Sequence, residues 1–289
     1  MRTKGIVALA AMAALAFSAA ACGGGGDDDN AGGGGSTATG VVGKAEREKK
    51  LVIGVKADQP GLGLQTGQQY EGFDIEIGKI IAKALGVDAA NIEWKTTVSA
   101  NREPFIQQGT VDLVVATYTI NDERKQKVSF AGPYFVAGQD LLVPMNSTIT
   151  GPESLEGKKV CSVTGSTPAK RIQTDYPKAS LQLFDAYSKC VEALANNAVD
   201  AVTTDDIILA GYASQSQYAG KFKVVGKTFS TEPYGIGLKK DDKSSCEKIN
   251  EILKAAATDG SYKTAWDATL GKSGTPAPTL DVSKLTNCG

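Results

Sequence analysis

The sequence contains no histidine among its 289 residues, and none of its cysteines is separated from the next by only two residues. Histidine is the usual general base beside a serine or cysteine nucleophile, so its absence excludes a Ser-His or Cys-His hydrolase. The cysteine spacing typical of zinc sites is missing too. We therefore expect no metal, no cofactor and no catalytic residue, and we predict that the chain is not an enzyme.

The sequence also lacks a surplus of basic residues. Its 31 Lys and Arg face 32 Asp and Glu, and without Arg2 and Lys4, which belong to the N-terminal segment described next, 29 basic residues remain against 32 acidic ones. A nucleic-acid-binding protein needs a basic surface, so we exclude a nucleic-acid partner. Beyond the N-terminus, no apolar run is long enough to span a bilayer.

The first residues have the composition of an export signal. An uncharged apolar run, Ile6 to Phe17, follows the two basic residues, and small residues then lead to Cys22. A run this short predicts a signal peptide over residues 1–21 and not a membrane-spanning helix. The residues before Cys22 resemble the bacterial lipobox, in which the cysteine receives a lipid, although Ala19 stands where leucine is usual. The alternative is a free thiol beyond an ordinary cleavage site.

A polar stretch rich in glycine and aspartate runs from Cys22 to residue 44. Such a composition cannot bury apolar surface and is typical of a flexible coil. It suits a tether between a lipid anchor and a folded body, whereas a tail with no anchoring role would leave the cysteine unexplained. We therefore predict a lipid-anchored protein on the extracytoplasmic face of the cell membrane.

Four further cysteines form an even set, which in an exported protein suggests two disulfides. Three pairings are possible. We favour Cys161–Cys190 and Cys246–Cys288, because each pair then lies within one of the two lobes proposed below. A metal site is the alternative, but the chain has no histidine to contribute to it.

Beyond the tether, strand-like and helix-like segments alternate. Apolar residues in Asp74 to Leu85 recur at helical spacing and are followed by Gly86, a common helix terminator. Val111 to Ala116 is a continuous apolar run, which is typical of a buried strand. After an extended segment, Leu141 to Pro144, the pattern restarts at Lys159. This α/β alternation predicts parallel sheets covered by helices.

The two units of this pattern predict two lobes. One lobe comprises residues 45–143 and 231–289, and the other comprises residues 144–230. In the second lobe, Ser188 is expected to cap one helix and Asp205 to begin another. Ligand sites in such sheets lie where strands end and helices begin.

One such loop combines hydroxyl groups with a guanidinium. Thr117 and Thr119 follow the apolar strand, and Arg124 lies in the short helix that comes next. Arginine can hold a carboxylate through two parallel hydrogen bonds, which fixes both its position and its charge. The alternative is a solvated helix face, because other charged residues surround Arg124.

Two loops of the second lobe complete a candidate ligand. Ser166 and Thr167 lie in a strand-to-helix turn, where free N–H groups and the helix dipole favour an anion. Asp205 follows another strand and can accept hydrogen bonds from an ammonium group. An ordinary helix cap is the alternative for each. With Arg124 on the carboxylate, the set describes an α-amino acid.

Six short motifs occur in a fixed order between residues 51 and 270. They are Gly72-Phe73-Asp74, Val111-Asp112-Leu113, Thr117-x-Thr119-Ile120-x-x-x-Arg124, Phe130-x-x-Pro133-Tyr134, Gly165-Ser166-Thr167 and Asp200-Ala201-Val202-x-x-Asp205. This ordered set resembles the polar amino-acid-binding proteins of ABC importers, solute-binding family 3. The resemblance implies an α/β, two-lobe periplasmic-binding-protein-like fold of type II, with two hinge strands and the ligand in the cleft between the lobes. It also implies that Arg124 holds the α-carboxylate, that Thr117 and Thr119 line the first lobe, and that Thr167 and Asp205 meet the ligand from the second.

Two segments bear on the side chain of the ligand. Asn101 to Phe105 resembles the stretch that supplies an arginine in glutamate- and aspartate-binding members, which implies that Arg102 holds a distal carboxylate. Lys56 to Gly63 resembles glutamate-binding lipoproteins of Gram-positive, high-GC bacteria, and Lys56 is a possible second cation. Many family members place an aromatic ring near the position of Gln59, and this chain does not. The alternative for Arg102 is a surface ion pair with the adjacent glutamate.

We therefore predict a monomeric, lipid-anchored substrate-binding protein of an ABC amino-acid importer. It would bind glutamate, with aspartate or glutamine next, by closure of two lobes, and the permease transmembrane subunits would recognise the closed form. One alternative is a dehydratase of prephenate or arogenate type, which has a similar fold but needs an acid or base in the cleft. Another is a sensory lipoprotein that binds the same ligand without an importer.

Overall fold

The computed structural model describes residues 38–274 and 276–288. The predicted signal peptide, Cys22 and the tether up to residue 37 lie outside the described residues. The helices are α1 (Gly40–Glu48), α2 (Phe73–Ala84), α3 (Arg102–Gln107), α4 (Asp122–Lys125), α5 (Thr167–Asp175), α6 (Tyr187–Ala195), α7 (Asp206–Ala213), α8 (Lys243–Asp259) and α9 (Ser261–Asp267). No helix among these residues has the length and apolar character needed to cross a membrane.

The strands form two five-stranded sheets and a small three-stranded one. They are β1 (Leu51–Val55), β2 (Asp58–Gln59), β3 (Gly63–Thr66), β4 (Gln69–Glu71), β5 (Ile92–Thr96), β6 (Leu113–Val114), β7 (Ser129–Ala137), β8 (Gln139–Pro144), β9 (Lys159–Val163), β10 (Ser180–Phe184), β11 (Ala201–Asp205), β12 (Phe222–Val224) and β13 (Glu232–Leu238).

The two large sheets have the same design. The first has the strand order β5-β1-β6-β13-β7, and the second has the order β10-β9-β11-β8-β12. In each, three parallel strands are followed by antiparallel ones. The parallel strands end at the edge where the lobes meet, so their loops carry the residues between the lobes. We call the body around the first sheet lobe 1 and that around the second sheet lobe 2.

The chain crosses between the lobes twice, and the crossings touch. Gly138 is the single residue between β7 and β8, and residues 225–231 lead back from β12 to β13. The Phe229 N–H donates to the Gln139 carbonyl (2.9 Å). A Cβ atom on Gly138 would lie 2.7 Å from Cβ of Thr228, so only glycine permits this approach. Because β8 belongs to lobe 2, the predicted change of lobe after residue 143 comes too late.

The folded part of the chain begins inside the predicted tether. Helix α1 starts at Gly40 and buries Val41 and Ala45. Lys44 of this helix forms an ion pair with Asp112 (2.8 Å). The tether predicted to run to residue 44 is therefore too long, because α1 already packs against lobe 1.

Both predicted disulfides are present. Cys161 of β9 is bonded to Cys190 of α6 in lobe 2. Cys246 of α8 is bonded to Cys288 in lobe 1, where the hydroxyl of Thr286, two residues before Cys288, also donates to the Phe130 carbonyl (2.7 Å). The first bond joins a helix to its sheet, and the second holds the end of the chain on α8.

Candidate functional site

The first lobe presents Thr117 and Thr119 on a constrained turn after β6. Thr117 has φ of 43°, a left-handed conformation that is rare for a β-branched residue. Its N–H donates to Oδ2 of buried Asp74 (2.9 Å), and the Tyr134 hydroxyl donates to Oδ1 of the same carboxylate (2.7 Å). Asp74 therefore fixes the backbone of the turn. Burial raises the pKa of Asp74 to about 7.

Arg102 is buried in the cleft and does not form the surface ion pair considered as its alternative. Only 2% of the residue is exposed. Its guanidinium donates to the carbonyl oxygens of Ala116 (3.1 Å) and Thr117 (3.2 Å). The adjacent Glu103 is instead 3.4 Å from Nε of Arg124.

Arg124 is buried beside it and does not lie on a solvated helix face. Its Nη1 donates to the Thr119 carbonyl (2.7 Å). The Arg102 and Arg124 guanidinium carbons lie 4.3 and 5.0 Å from the centre of the Tyr118 ring. A ring face attracts cations, so Tyr118 helps to hold the two positive groups together.

Both guanidinium groups bond to one oxygen atom of lobe 2. The Gly165 carbonyl accepts from Nη2 of Arg102 (3.3 Å) and from Nη2 of Arg124 (3.1 Å). Burial, and next the charge of Arg124, lower the pKa of Arg102 to about 10. A Cβ atom on Gly165 would lie 2.7 Å from Cα of Ala100, so glycine is needed for this approach of the lobes. Two cations thus share one neutral acceptor.

Lys56 adds a third cation. Its ammonium donates to the Ser99 hydroxyl (2.8 Å), and the Ser99 carbonyl accepts from Nε of Arg102 (3.2 Å). Burial, and next the charge of Arg102, lower the pKa of Lys56 to about 7. The three cations therefore form one buried positive surface on lobe 1.

The turn of lobe 2 has hydroxyl groups that are partly committed to its own structure. Ser166 caps α5 by accepting from the Ala169 N–H (3.1 Å), and it donates to the Val163 carbonyl (2.7 Å). The Thr167 hydroxyl donates to Oε2 of Glu232 (2.7 Å) and lies 3.4 Å from the Thr119 hydroxyl. Thr119 and Thr167 thus meet across the cleft.

Asp205 precedes α7 but does not cap it through its side chain. Its Oδ2 accepts from the Tyr234 hydroxyl (2.6 Å), and its buried Oδ1 has no hydrogen-bond partner within the described part of the chain. Burial, and next the charge of Glu232, raise the pKa of Asp205 to about 7. A ligand ammonium would satisfy the second oxygen and favour the ionised form.

A cavity of about 210 Å³ lies between the lobes, and Lys56 is the one predicted ligand residue that lines it. Lobe 1 lines it with residues 56–58 and 96–98, and lobe 2 lines it with Val163 and residues 185–187. A larger depression of about 710 Å³ lies between α2 and α8, and its lining includes none of the eight predicted ligand residues. The predicted ligand residues are instead brought together by their direct contacts across the cleft, and neither cavity encloses them as a set.

Three residues of this region were missed by sequence reasoning. Gln59 is fully buried, its Oε1 accepts from the Thr117 hydroxyl (3.1 Å), and its Nε2 has no partner among the described residues. Glu232 and Tyr234 come from β13, far along the chain from the residues they contact. Gln59 could have been found, since many family members place an aromatic ring near its position, but nothing in the sequence marks the other two.

Two lobes of matching strand order, joined by adjacent crossings and closing on buried charged groups, define a two-lobe binding protein of the type II periplasmic-binding-protein-like fold. A family model supports the same class. The chain belongs to the bacterial extracellular solute-binding proteins, family 3, whose model matches residues 51–271. The predicted family is thereby confirmed.

Individual relatives agree with this assignment. The chain is 42% identical over 234 residues to the glutamate-binding protein GluB of Corynebacterium efficiens, covering 77% of this chain and 79% of that protein. It is 41% identical over 216 residues to the ABC transporter glutamine-binding protein GlnH of Bacillus subtilis, covering 74% and 78%. A solved structure of an ancestral arginine-binding protein bound to glutamine matches with a TM-score of 0.72 at 37% identity, covering 77% of this chain and 98% of that one. The chain is thus an amino-acid-binding protein and not an enzyme.

Proposed function

We propose that this chain is the extracytoplasmic, lipid-anchored receptor of an ABC importer and that its ligand is L-glutamate. The observation that best supports glutamate as the ligand is that Arg102 and Arg124 both donate to the Gly165 carbonyl. A carboxylate is a stronger acceptor for guanidinium groups than a neutral carbonyl. An anionic ligand would therefore relieve the repulsion between the two cations.

Each end of glutamate has a matching group. In this proposal Arg124 and Thr119 hold the α-carboxylate, while Arg102 and Lys56 hold the distal carboxylate. The ammonium donates to the free oxygen of Asp205. Because Lys56 and the arginines belong to lobe 1 and Asp205 belongs to lobe 2, the ligand is fully bound only when the lobes are closed.

Remaining polar groups would complete the contacts. Thr117 and the missed Gln59 border the ligand from lobe 1, and Nε2 of Gln59 offers a donor to a carboxylate oxygen. Ser166 and Thr167 border it from lobe 2, chiefly through the turn that they form.

The location and the importer are supported by sequence and by relatives. The apolar run Ile6 to Phe17 and the small residues that lead from it to Cys22 support export and lipidation. The name of GlnH as an ABC transporter protein supports an importer as the partner. Incorporation of a labelled fatty acid tests the anchor: the unsubstituted chain should carry the label and a Cys22→Ala variant should not, and an unlabelled unsubstituted chain would contradict lipidation.

Glutamine is a second candidate, favoured by the names of GlnH and of the matching ancestral structure. Calorimetry with the purified mature protein decides between the two ligands. We expect L-glutamate to bind more tightly than glutamine, because Arg102 and Lys56 are two cations facing one distal group. Tighter binding of arginine or histidine would contradict the charge assignment, and tighter binding of glutamine would reassign the ligand.

A further inference from the structure

Helix α6 of lobe 2 receives its N-terminal cap from the other lobe. The residue before it is Ala186, which has no side-chain acceptor. The first N–H groups of a helix need acceptors from outside it. The Ser188 N–H donates to Oδ2 of Asp58 (3.1 Å), which lies on β2 of lobe 1. The prediction that Ser188 caps this helix is therefore wrong, because its own N–H is the capped group.

Asp58 has a second partner in lobe 2. The hydroxyl of Tyr212, a buried residue of α7, donates to the Asp58 carbonyl and lies 3.2 Å from its Oδ2. The carboxylate and the backbone of one lobe 1 residue therefore bind two helices of lobe 2.

The neighbouring backbone fits α7 closely. A Cβ atom on Gly211 would lie 2.5 Å from the Pro60 carbonyl oxygen. Glycine weakens the interior of a helix, so its position in α7 has a structural reason in this approach. The β2 strand and Pro60 thus dock on α6 and α7 when the lobes are together.

We infer that Asp58 is a positioning residue that sets ligand affinity by stabilising the closed form, without contacting the ligand. Its bonds to Ser188 and Tyr212 join different lobes, so they break when the lobes separate. A contact made only in the closed form strengthens every ligand by the same factor. This inference rests on the proposed function, because it takes ligand binding to require closure.

The decisive test is whether the loss of Asp58 lowers the affinity for every ligand by the same factor. We expect Asp58→Ala to weaken glutamate, glutamine and aspartate alike, by about threefold to thirtyfold, the range of a lost helix cap. Asp58→Asn should retain most of the affinity, because asparagine caps helices as well as aspartate does. Ser188→Ala is the matched control and should leave affinity unchanged, since it keeps the capped N–H. Calorimetry with all three variants measures these effects. Unchanged affinities for Asp58→Ala, or a loss confined to one ligand, would overturn the inference.

A second variant tests closure without touching Asp58. Gly211→Ala should strengthen α7 itself, yet its new methyl group would meet the Pro60 carbonyl in the closed form. We expect weaker binding of every ligand with an unchanged or higher Tm. Undiminished binding would contradict the docking of Pro60 on α7.

Amide exchange separates this inference from the proposed ligand. Exchange at the Ser188 N–H of the unsubstituted protein should slow when L-glutamate is added, because closure brings Asp58 to this group. The slowing should be smaller in Asp58→Ala and unchanged in Gln65→Ala, an exposed residue of the neighbouring β3. If no amino acid bound to the unsubstituted protein, the proposed function would fail. Binding that slowed exchange equally in Asp58→Ala and in the unsubstituted protein would overturn this inference alone.

Discussion

At the scale of single residues, the site is organised by charge. Lys56, Arg102 and Arg124 place three cations on lobe 1, and Asp205 places a carboxylate with one free oxygen on lobe 2. Buried charges are stable only when they are paired or fully hydrogen-bonded. Here the cations bond mainly to carbonyl and hydroxyl oxygens, so a ligand with carboxylates gains the most from them.

The two arginines should respond differently to substitution. Arg124→Ala should weaken every amino acid about a hundredfold or more, because it removes the partner of the α-carboxylate. Arg102→Ala should weaken glutamate much more than glutamine, because it removes a partner of the distal group. Calorimetry with both ligands measures the difference, with Arg47→Ala, an exposed residue of α1, as the control. An equal loss for both ligands in Arg102→Ala would contradict its role on the distal carboxylate.

At the scale of helices and strands, regular periodicity was predictable and irregular segments were not. Helix α2 lies within a residue of its predicted bounds, since its apolar spacing is clear, and β9 begins at Lys159, where the pattern was predicted to restart. Of the predicted strand Val111 to Ala116, only Leu113–Val114 pairs as β6. Strand β7 was missed because Gly132-Pro133 interrupts its pattern.

The candidate site, like the fold, was only partly predictable from the sequence. Its charged side chains were predictable because each follows a strand or begins a helix. The Gly165 carbonyl was not, because a backbone acceptor has no sequence signature. The cap from Asp58 was also hidden, since it depends on how the lobes meet.

The two disulfides should differ in their effects. Replacing Cys246 and Cys288 by alanine should lower the free energy of unfolding by about 2–4 kcal/mol without changing glutamate affinity, because that bond holds the chain end on α8. Replacing Cys161 and Cys190 should cost a similar amount and also weaken binding, because α6 carries the N–H capped by Asp58. Urea unfolding and calorimetry measure the two effects. Identical affinities in both double variants would count against a functional position for α6.

At the scale of the whole molecule, closure brings together groups that titrate near neutral pH. Lys56 from lobe 1 and Asp205 from lobe 2 each have a pKa of about 7. Asp205 is surrounded by Glu232, Asp206, Tyr234 and Arg102, and Lys56 faces Arg102, Arg124, Asp58 and Asp74. Proton binding and ligand binding are therefore linked.

Glutamate affinity should be greatest near pH 7. A bound ammonium favours ionised Asp205, so binding below pH 7 must release a proton and weakens as pH falls. A bound carboxylate favours protonated Lys56, so binding above pH 7 must take up a proton and weakens as pH rises. For one proton, the change approaches about tenfold per pH unit. Calorimetry across pH in buffers of different ionisation enthalpy measures both effects, and Lys56→Met should remove the decline above pH 7. A flat profile would contradict the assignment of both groups.

The contact between the two crossings has a mechanical consequence. The two crossings lie side by side where Gly138 passes Thr228. Two chain segments in this arrangement let the lobes bend towards each other but resist twisting and sliding of one lobe against the other. Such a pair acts as a hinge that bends easily in one direction only. The lobes would then approach along the same path each time, and a residue such as Asp58 would reach the start of α6 without a search over orientations. The absence of a side chain at Gly138 would thus keep the lobes aligned as they close, and would do so more than it makes the chain flexible.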